Sequence, residues 1–325
     1  TRLLLFLISG ILLLSIGFIS CGTGPQTKTT VPDKGAYAVD FSAAPTSGDT
    51  QPGFISLSKS INSMAGLREF TIEAWVKRNT SGNLYGAIFS HGTTGGSGSI
   101  VPAEGNDDGI LLYVSNNQPG FAMALDTASP STVSSSVSLT NGSWTHIAVV
   151  LVNVNHSGGV VHSACGGAEA QTPHLDIYIN GIFNTCGSIG GSGTYPTAFD
   201  YNEQIGRTSF DFDASDGQGN LSIGVQANTK LKAVIDEVRF WRVARTATEI
   251  DTWRQKEITV ANWYQANPNN ALIGYWKLNE GTGTVISDAS GSGNGGVKNY
   301  CDSDCAGASP NSIPWDGGWT TGYPF

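Results

Sequence analysis

Asp236 is the residue whose surroundings ask most plainly for chemistry. In Val234-Ile-Asp-Glu-Val-Arg-Phe-Trp241, a two-residue alternation sets Val234, Asp236, Val238 and Phe240 on one strand face and Ile235, Glu237, Arg239 and Trp241 on the other. A carboxylate in register with three apolar side chains needs a partner, because an unpaired buried charge costs several kcal/mol. Calcium is one such partner, since it takes hard oxygen ligands from carboxylates, carbonyls and water. A salt bridge to Arg207 or Lys232 is another, and exposure at a sheet edge would remove the need for either. A second acidic run, Asp211-Phe-Asp213-Ala-Ser-Asp216-Gly217, resembles the start of a calcium loop, but its third acid is one residue late and no helices flank it. With the shorter Asn106-Asp-Asp-Gly109, it reads as a solvated turn whose Asp and Asn residues suit turn geometry.

Nucleophiles and bases are poorly supported. His146 sits in an apolar run and reads as a satisfied core or edge histidine rather than a base. His156, His162, Cys165 and His174 lack the spacing of a structural zinc site and are separated by loop residues. Gly291-Ser-Gly-Asn-Gly-Gly296 fits the dinucleotide-binding glycine pattern, yet no helix follows to receive a pyrophosphate, so it reads as a turn. There is no Gly-x-x-x-x-Gly-Lys loop, no His-Glu-x-x-His and no Gly-x-Ser-x-Gly elbow.

The elements that would position these groups are mostly strands. Of 325 residues, 42 are Gly and 13% are charged, about half the roughly 25% of an ordinary domain, which disfavours long solvated helices and coiled coils. The net charge of −9 repels phosphate backbones and argues against nucleic acid as a partner. Phe70, Ile72, Ala74 and Val76 alternate with polar or aromatic residues, as do Leu175, Ile177 and Ile179 ahead of the turn pair Asn180-Gly181. Trp144 to Val152 is almost continuously apolar, as in the middle of a sheet. Ile110 to Val114 and Phe121 to Leu125 read as a hairpin closed by Asn-Asn-Gln-Pro-Gly, and further strands are expected near 232–242 and 272–278. Thr246-Ala-Thr-Glu249 is a capping box opening one short helix near 247–257, ended before Pro268. Short strands without intervening helices imply an all-β antiparallel sandwich or barrel in one domain.

Five blocks in order carry a family resemblance. Phe70-Thr-Ile-Glu-Ala-Trp-Val76, Trp144-Thr-His-Ile-Ala-Val149, Leu175-Asp-Ile-Tyr-Ile-Asn-Gly181 and Ile235-Asp-Glu-Val-Arg-Phe-Trp241 with Ala244-Arg-Thr-Ala-Thr-Glu-Ile250 resemble laminin G-like domains. Gly274-Tyr-Trp-Lys-Leu-Asn-Glu-Gly281 with Asp288-Ala-Ser-Gly-Ser-Gly-Asn-Gly-Gly296 is similar to a block often found at the start of such domains. The resemblance spans roughly residues 36–300 and implies a concanavalin A-like jelly roll of two antiparallel sheets, leaving 301–325 as a Gly- and aromatic-rich tail. It also implies a structural calcium held by Asp236, with Asp288 and a carbonyl near Gly295 as companions. Relatives that cleave glucans carry a Glu-x-Asp-x-x-Glu strand, and that spacing is absent from this chain.

The N-terminal segment bears on location. Arg2 precedes an apolar run from Leu3 to Ile19 that ends at Ser20-Cys21, which fits a secretory signal over residues 1–20 better than a retained span. Phe18-Ile-Ser-Cys21 resembles the lipobox of bacterial lipoproteins, implying cleavage before Cys21, lipid on that residue, a flexible tether over 21–35, and placement at the outer membrane or cell surface. An ordinary signal peptide and a retained anchor are the alternatives. With Cys21 acylated, the other four cysteines fall into two local pairs, Cys165 with Cys186 and Cys301 with Cys305, suited to an oxidising envelope.

Two functional readings follow. One is a non-catalytic surface lipoprotein that binds a glycan or an extracellular or envelope protein, with Tyr85, Trp263, Tyr264, Trp315 and Trp319 either stacking on sugars or plugging the sandwich. The other is a divergent glycoside hydrolase or lyase on the same fold, which would need two acids facing each other across a groove. A structural spacer without a small ligand is a third possibility.

Overall fold

A computed structural model describes residues 37–43, 53–57, 69–92, 109–124, 131–152, 174–188, 204–205, 231–301, 312–322 and 324. The described chain enters as β1 (Tyr37–Asp40), makes a 3-10 turn at Phe41–Ala43, and continues as β2 (Gly53–Leu57), β3 (Phe70–Arg78) and β4 (Gly86–Gly92). Then come β5 (Gly109–Ser115), β6 (Gln118–Ala124), β7 (Ser131–Ser134), β8 (Trp144–Val152), β9 (His174–Ile179) and β10 (Ile182–Ser188). The two-residue β11 (Gln204–Ile205) and the long β12 (Ala233–Trp241) precede two short helices, α1 (Ala247–Trp253) and α2 (Trp263–Ala266). The chain closes with β13 (Leu272–Trp276), β14 (Val285–Ile286), β15 (Gly296–Cys301), β16 (Ser312–Pro314) and β17 (Trp319–Thr321).

These strands form two antiparallel sheets, as expected of a jelly roll. The first runs β10-β9-β8-β3-β12-β1-β17 with β13 also on β12, and the second β14-β15-β2-β11-β4-β5-β6-β7 with β16 on β15. Alternation explains their packing. Phe70, Ile72, Ala74 and Val76 of β3, and Ile147, Val149 and Leu151 of β8, point into a core shared with Ile110, Leu112, Val114 and Phe121 of the second sheet. The opposite face of the first sheet is also buried, by a third layer made of α1, α2 and their connections. Ile250 and Trp253 of α1 pack there with Val150 and Tyr178 on one side and Trp241 and Tyr275 on the other. Seven residues are too few for a helix that stands alone. This one is held by burial and by its capping box, in which Glu249 N donates to Thr246 Oγ1 at 3.2 Å and Thr246 N to Glu249 Oε2 at 2.8 Å.

Several expectations shift. The helix ends at Trp253 rather than near 257, and α2 follows it. The β5–β6 turn is the pair Asn116-Asn117, with φ of 50° and 70°, so Gln118, Pro119 and Gly120 are strand residues rather than loop. The sandwich also runs beyond residue 300. β16 pairs with β15 of one sheet and β17 with β1 of the other, so residues 312–321 cross from sheet to sheet at one edge. At the opposite edge, Ser136 N donates to Asn184 Oδ1 at 3.0 Å and Asn184 Nδ2 to Ser136 Oγ at 3.1 Å, tying the β7 side to β10.

Candidate functional site

Among the described residues, a group of buried charged side chains is gathered between the first sheet and its helical cap. Glu73 of β3 and His146 of β8 point to the capped face, and Arg245 descends from the turn after β12. His146 Nε2 lies 3.2 Å from Glu73 Oε2, and Arg245 Nη1 lies 3.5 Å from Glu73 Oε1. The Arg245 guanidinium stacks 3.8 Å from the Trp241 ring centroid, and the Thr71 hydroxyl donates to Val243 O while accepting from Arg245 N. Burial would raise the Glu73 carboxyl, but Arg245 and His146 overrule it and hold the pKa at about 2. Burial lowers the His146 pKa more than Glu73 restores it, so the imidazole is neutral at pH 7.

A carboxylate beside a neutral imidazole is the composition of an acid–base pair. Here Glu73 is 0% and His146 1% exposed beneath the cap, so neither opens to solvent in this structure. Their work is structural. Together with Arg245 they anchor the turn that leads into α1.

The second cluster fastens the other end of α1. Arg239 Nη2 donates to Glu237 Oε2 at 2.6 Å and to Lys256 O at 2.7 Å, while Nη1 donates to Trp253 O at 2.8 Å. Tyr275 OH donates to Glu237 Oε2 at 2.6 Å, and Trp75 Nε1 donates to Arg254 O at 2.7 Å. The carbonyls left without intrahelical partners at a helix C-terminus are thus met by sheet side chains. Burial raises the Glu237 carboxyl, with Arg239 and Tyr275 acting against it; burial would lower Arg239, but Tyr275, Glu237 and Glu73 overrule it and hold its proton above the ordinary value.

Asp236 is buried rather than exposed at a sheet edge, but not on the face the alternation predicts. Its neighbour Glu237 adopts φ of 51°, and Glu237 with Val238 stands opposite the single residue Ala74, forming a β-bulge. The bulge reverses the alternation. Val238 and Phe240 face the core, whereas Asp236 sits opposite Trp75 on the capped face, so the expected sharing of one face by Val234, Asp236, Val238 and Phe240 is corrected. Asp236 Oδ1 accepts from Glu237 N at 3.0 Å, and no cation pairs with Asp236 among the described residues. Burial and the adjacent Glu237 charge push its pKa well above that of a free carboxyl, which favours the protonated form.

The calcium set nominated from the resemblance does not fit. Asp288 Oδ1 accepts from Tyr275 N and Ser290 N, and Oδ2 from Ser290 Oγ and Asn294 N, at 2.8–3.0 Å. Four donors leave this carboxylate no free lone pair to offer a cation. It organises the 288–294 turn, after which Gly295 leads into β15. Among the described residues no three His, Cys, Asp or Glu side chains group as metal ligands. The Asp211–Asp216 and Asn106–Asp108 runs lie outside the described residues, as do Arg207, Cys21, Cys165 and Cys305. Cys186 is disulfide-bonded, and Cys301 ends β15.

The aromatic candidates divide. Trp315 is buried and Trp319 half-buried in the crossing between sheets, where their ring centroids lie 4.9 Å and 3.9 Å from Lys298 Nζ. Lys298 Nζ donates to Gly317 O at 2.6 Å. Burial lowers the lysine pKa to about 8, against Asp316 and Glu280. Trp263 is half-buried in the cap and Tyr85 half-buried beside β4, so these four rings serve packing wholly or in part. Tyr264 alone of the five is exposed. The Glu73, Glu237, Arg239, Arg245 and Tyr275 network was not foreseen, although polar residues at alternate positions of a strand whose other face is apolar were a sign that a third layer or solvent must meet them.

A family model of the concanavalin A-like lectin/glucanases superfamily, of laminin G type, matches residues 49–251. Among solved structures, a presumed carbohydrate-binding protein from Bacteroides ovatus is similar, at 17% identity and a TM-score of 0.50 over 87% of this chain. This chain spans 61% of that protein. A heptameric SAP-like pentraxin of Limulus polyphemus (12% identity, TM-score 0.43, 89% of this chain and 95% of that one) and domains LG4-5 of the mouse laminin alpha1 chain (13%, 0.40, 63% and 41%) are also similar. No curated protein matches.

Proposed function

We propose that this protein, which belongs to the concanavalin A-like lectin/glucanases superfamily, is a non-catalytic ligand-binding domain for a glycan or an extracellular protein, displayed at a bacterial surface by lipid on Cys21. One observation carries the non-catalytic part. Among the described residues, the acid–base groups Glu73 with His146 and Glu237 with Tyr275 are each at most 6% exposed and already spent in holding the α1 cap, and His174 with Asp176 on β9 is fully buried. A rigid sandwich whose polar interior serves its own architecture leaves recognition to its surface and loops. The carbohydrate-binding description of the Bacteroides ovatus structure supports a ligand of this class. The lipid anchor rests on the Phe18-Ile-Ser-Cys21 resemblance, and Cys186, being disulfide-bonded, suits the oxidising envelope that an exported chain would reach.

The test is to present the full chain to a glycan array and to a panel of extracellular matrix proteins, while following release of reducing ends from the same glycans. Binding without release is expected. Failure to bind either panel removes the ligand-binding reading, and release of reducing ends replaces it with an enzyme. Mass spectrometry of the membrane-extracted protein is expected to find Cys21 as a lipid-modified N-terminus; an unmodified Cys21 overturns the anchor.

A further inference from the structure

Between α1 and β13 the chain presents two large apolar side chains to water. Val260 is 95% exposed and Tyr264 83% exposed, four residues apart, with Gln265, Pro268, Asn269 and Asn270 exposed beside them. Looseness does not account for this. Asn262 Oδ1 accepts from Thr259 N at 2.7 Å and its Nδ2 donates to Glu257 O at 2.9 Å, fixing the turn before α2. Asn267 Oδ1 accepts from Ala271 N and Leu272 N, fixing the turn after it. Trp263 and Ala266 pack inward against Trp253 and Tyr275, so α2 is held with its other side facing out.

The chemistry of the outward side is narrow. From Ile258 to Trp276 the sequence has no Asp, Glu, Lys or Arg, although both flanking positions, Glu257 and Lys277, are charged. An uncharged surface gives no attraction to phosphate, sulfate or ammonium groups. It offers the phenol ring of Tyr264, the aliphatic side chain of Val260, the small apolar Ala261 and Pro268, and three amides that both donate and accept. The apolar part is also small. A Tyr side chain buries roughly 150–250 Å² at most, well short of the roughly 800 Å² each partner contributes to a stable protein interface. A single pyranose ring matches it in size, with a C–H face to lie on the phenol and hydroxyls within reach of amides.

We propose that residues 260–270 form a binding platform for a neutral glycan, with Tyr264 as the stacking ring and the amides of Gln265, Asn269 and Asn270 as partners of its hydroxyls. This rests on the glycan arm of the proposed function and adds to it a place and a charge class. The test compares the full chain with its Tyr264→Ala and Tyr264→Trp variants, and with Ile182→Ala, which alters another exposed apolar side chain, on an array holding neutral and anionic glycans. The platform predicts binding to neutral glycans, at least tenfold weaker in Tyr264→Ala, retained in Tyr264→Trp and unchanged in Ile182→Ala, with thermal midpoints alike. Neutral-glycan binding untouched by Tyr264→Ala overturns the platform and leaves the ligand-binding reading standing. Binding confined to anionic glycans overturns it too. Absence of any glycan binding also overturns it, and the matrix-protein panel then decides whether the broader reading survives.

Discussion

Replacing Glu73 by Gln removes the charge that the first sheet offers to Arg245 while keeping the side chain's shape. On folding, the carboxyl moves from its ordinary pKa of 4.5 to about 2, which corresponds to roughly 3 kcal/mol of stability at pH 7, at about 1.4 kcal/mol per tenfold change in proton affinity. An independent route gives a similar size. Breaking a buried ion pair by removing one partner costs about 3–5 kcal/mol, because Arg245, 2% exposed, would keep its charge without Glu73. The expected loss is therefore about 3 kcal/mol, or about 6–12 °C in midpoint for a domain of this size. The pH dependence carries the sharper signature. Because the folded pKa is depressed, the unfolded chain takes up the Glu73 proton first as pH falls below 4.5, so stability is lost down to about pH 2. His146 acts in the same direction at higher pH, since its lowered pKa lets the unfolded chain protonate first below 6.5. Urea unfolding followed by tryptophan fluorescence across pH 2–8 should show both losses in the wild type and only the His146 part in Glu73→Gln. A variant within about 0.5 kcal/mol of wild type at pH 7, or one with the same slope between pH 4.5 and 2, would refute the assignment of Glu73 as a buried ionised tie.

Asp236→Asn is expected to be at least as stable as wild type at pH 8. The raised pKa means that Asp236 stabilises the fold only below its unfolded value and weighs against it as pH rises, and Asn Oδ1 can still accept from Glu237 N. A loss beyond about 1 kcal/mol in denaturant titration counts against a raised Asp236 pKa. Lys298 gives up its proton at about pH 8 in the fold and at 10.5 when unfolded, so wild-type stability should rise between those values. Lys298→Met should abolish the rise, and equal pH slopes in the two proteins would disprove it. Calcium should not raise the thermal midpoint through Asp288, whose oxygens are filled by the chain's own donors. A calcium-dependent rise that Asp288→Asn removes would show the opposite.

The parts of this protein that were legible in advance are those governed by neighbours within a few residues. The alternation of Phe70 to Val76 set the strand and its core face, Asn180-Gly181 set a turn whose φ values are 53° and 81°, and Thr246 with Glu249 set the start of α1. The ordered blocks were enough to place the chain in its family. What could not be read were the features decided by contacts between residues distant along the chain. Glu237 is held in a left-handed conformation where its carboxylate meets Arg239 and, across 38 positions, the hydroxyl of Tyr275. That one residue reversed the strand's alternation, moving Asp236 away from the inter-sheet core. Glu73 and Arg245 likewise pair across a long stretch of sequence, so neither announces the other. The chain's periodicity settles which residues can form a sheet, because side-chain direction in a strand is a local matter. Whether a polar residue on that sheet meets solvent, a ligand or another charge is settled by what packs over it, and here only the folded cap supplied the answer.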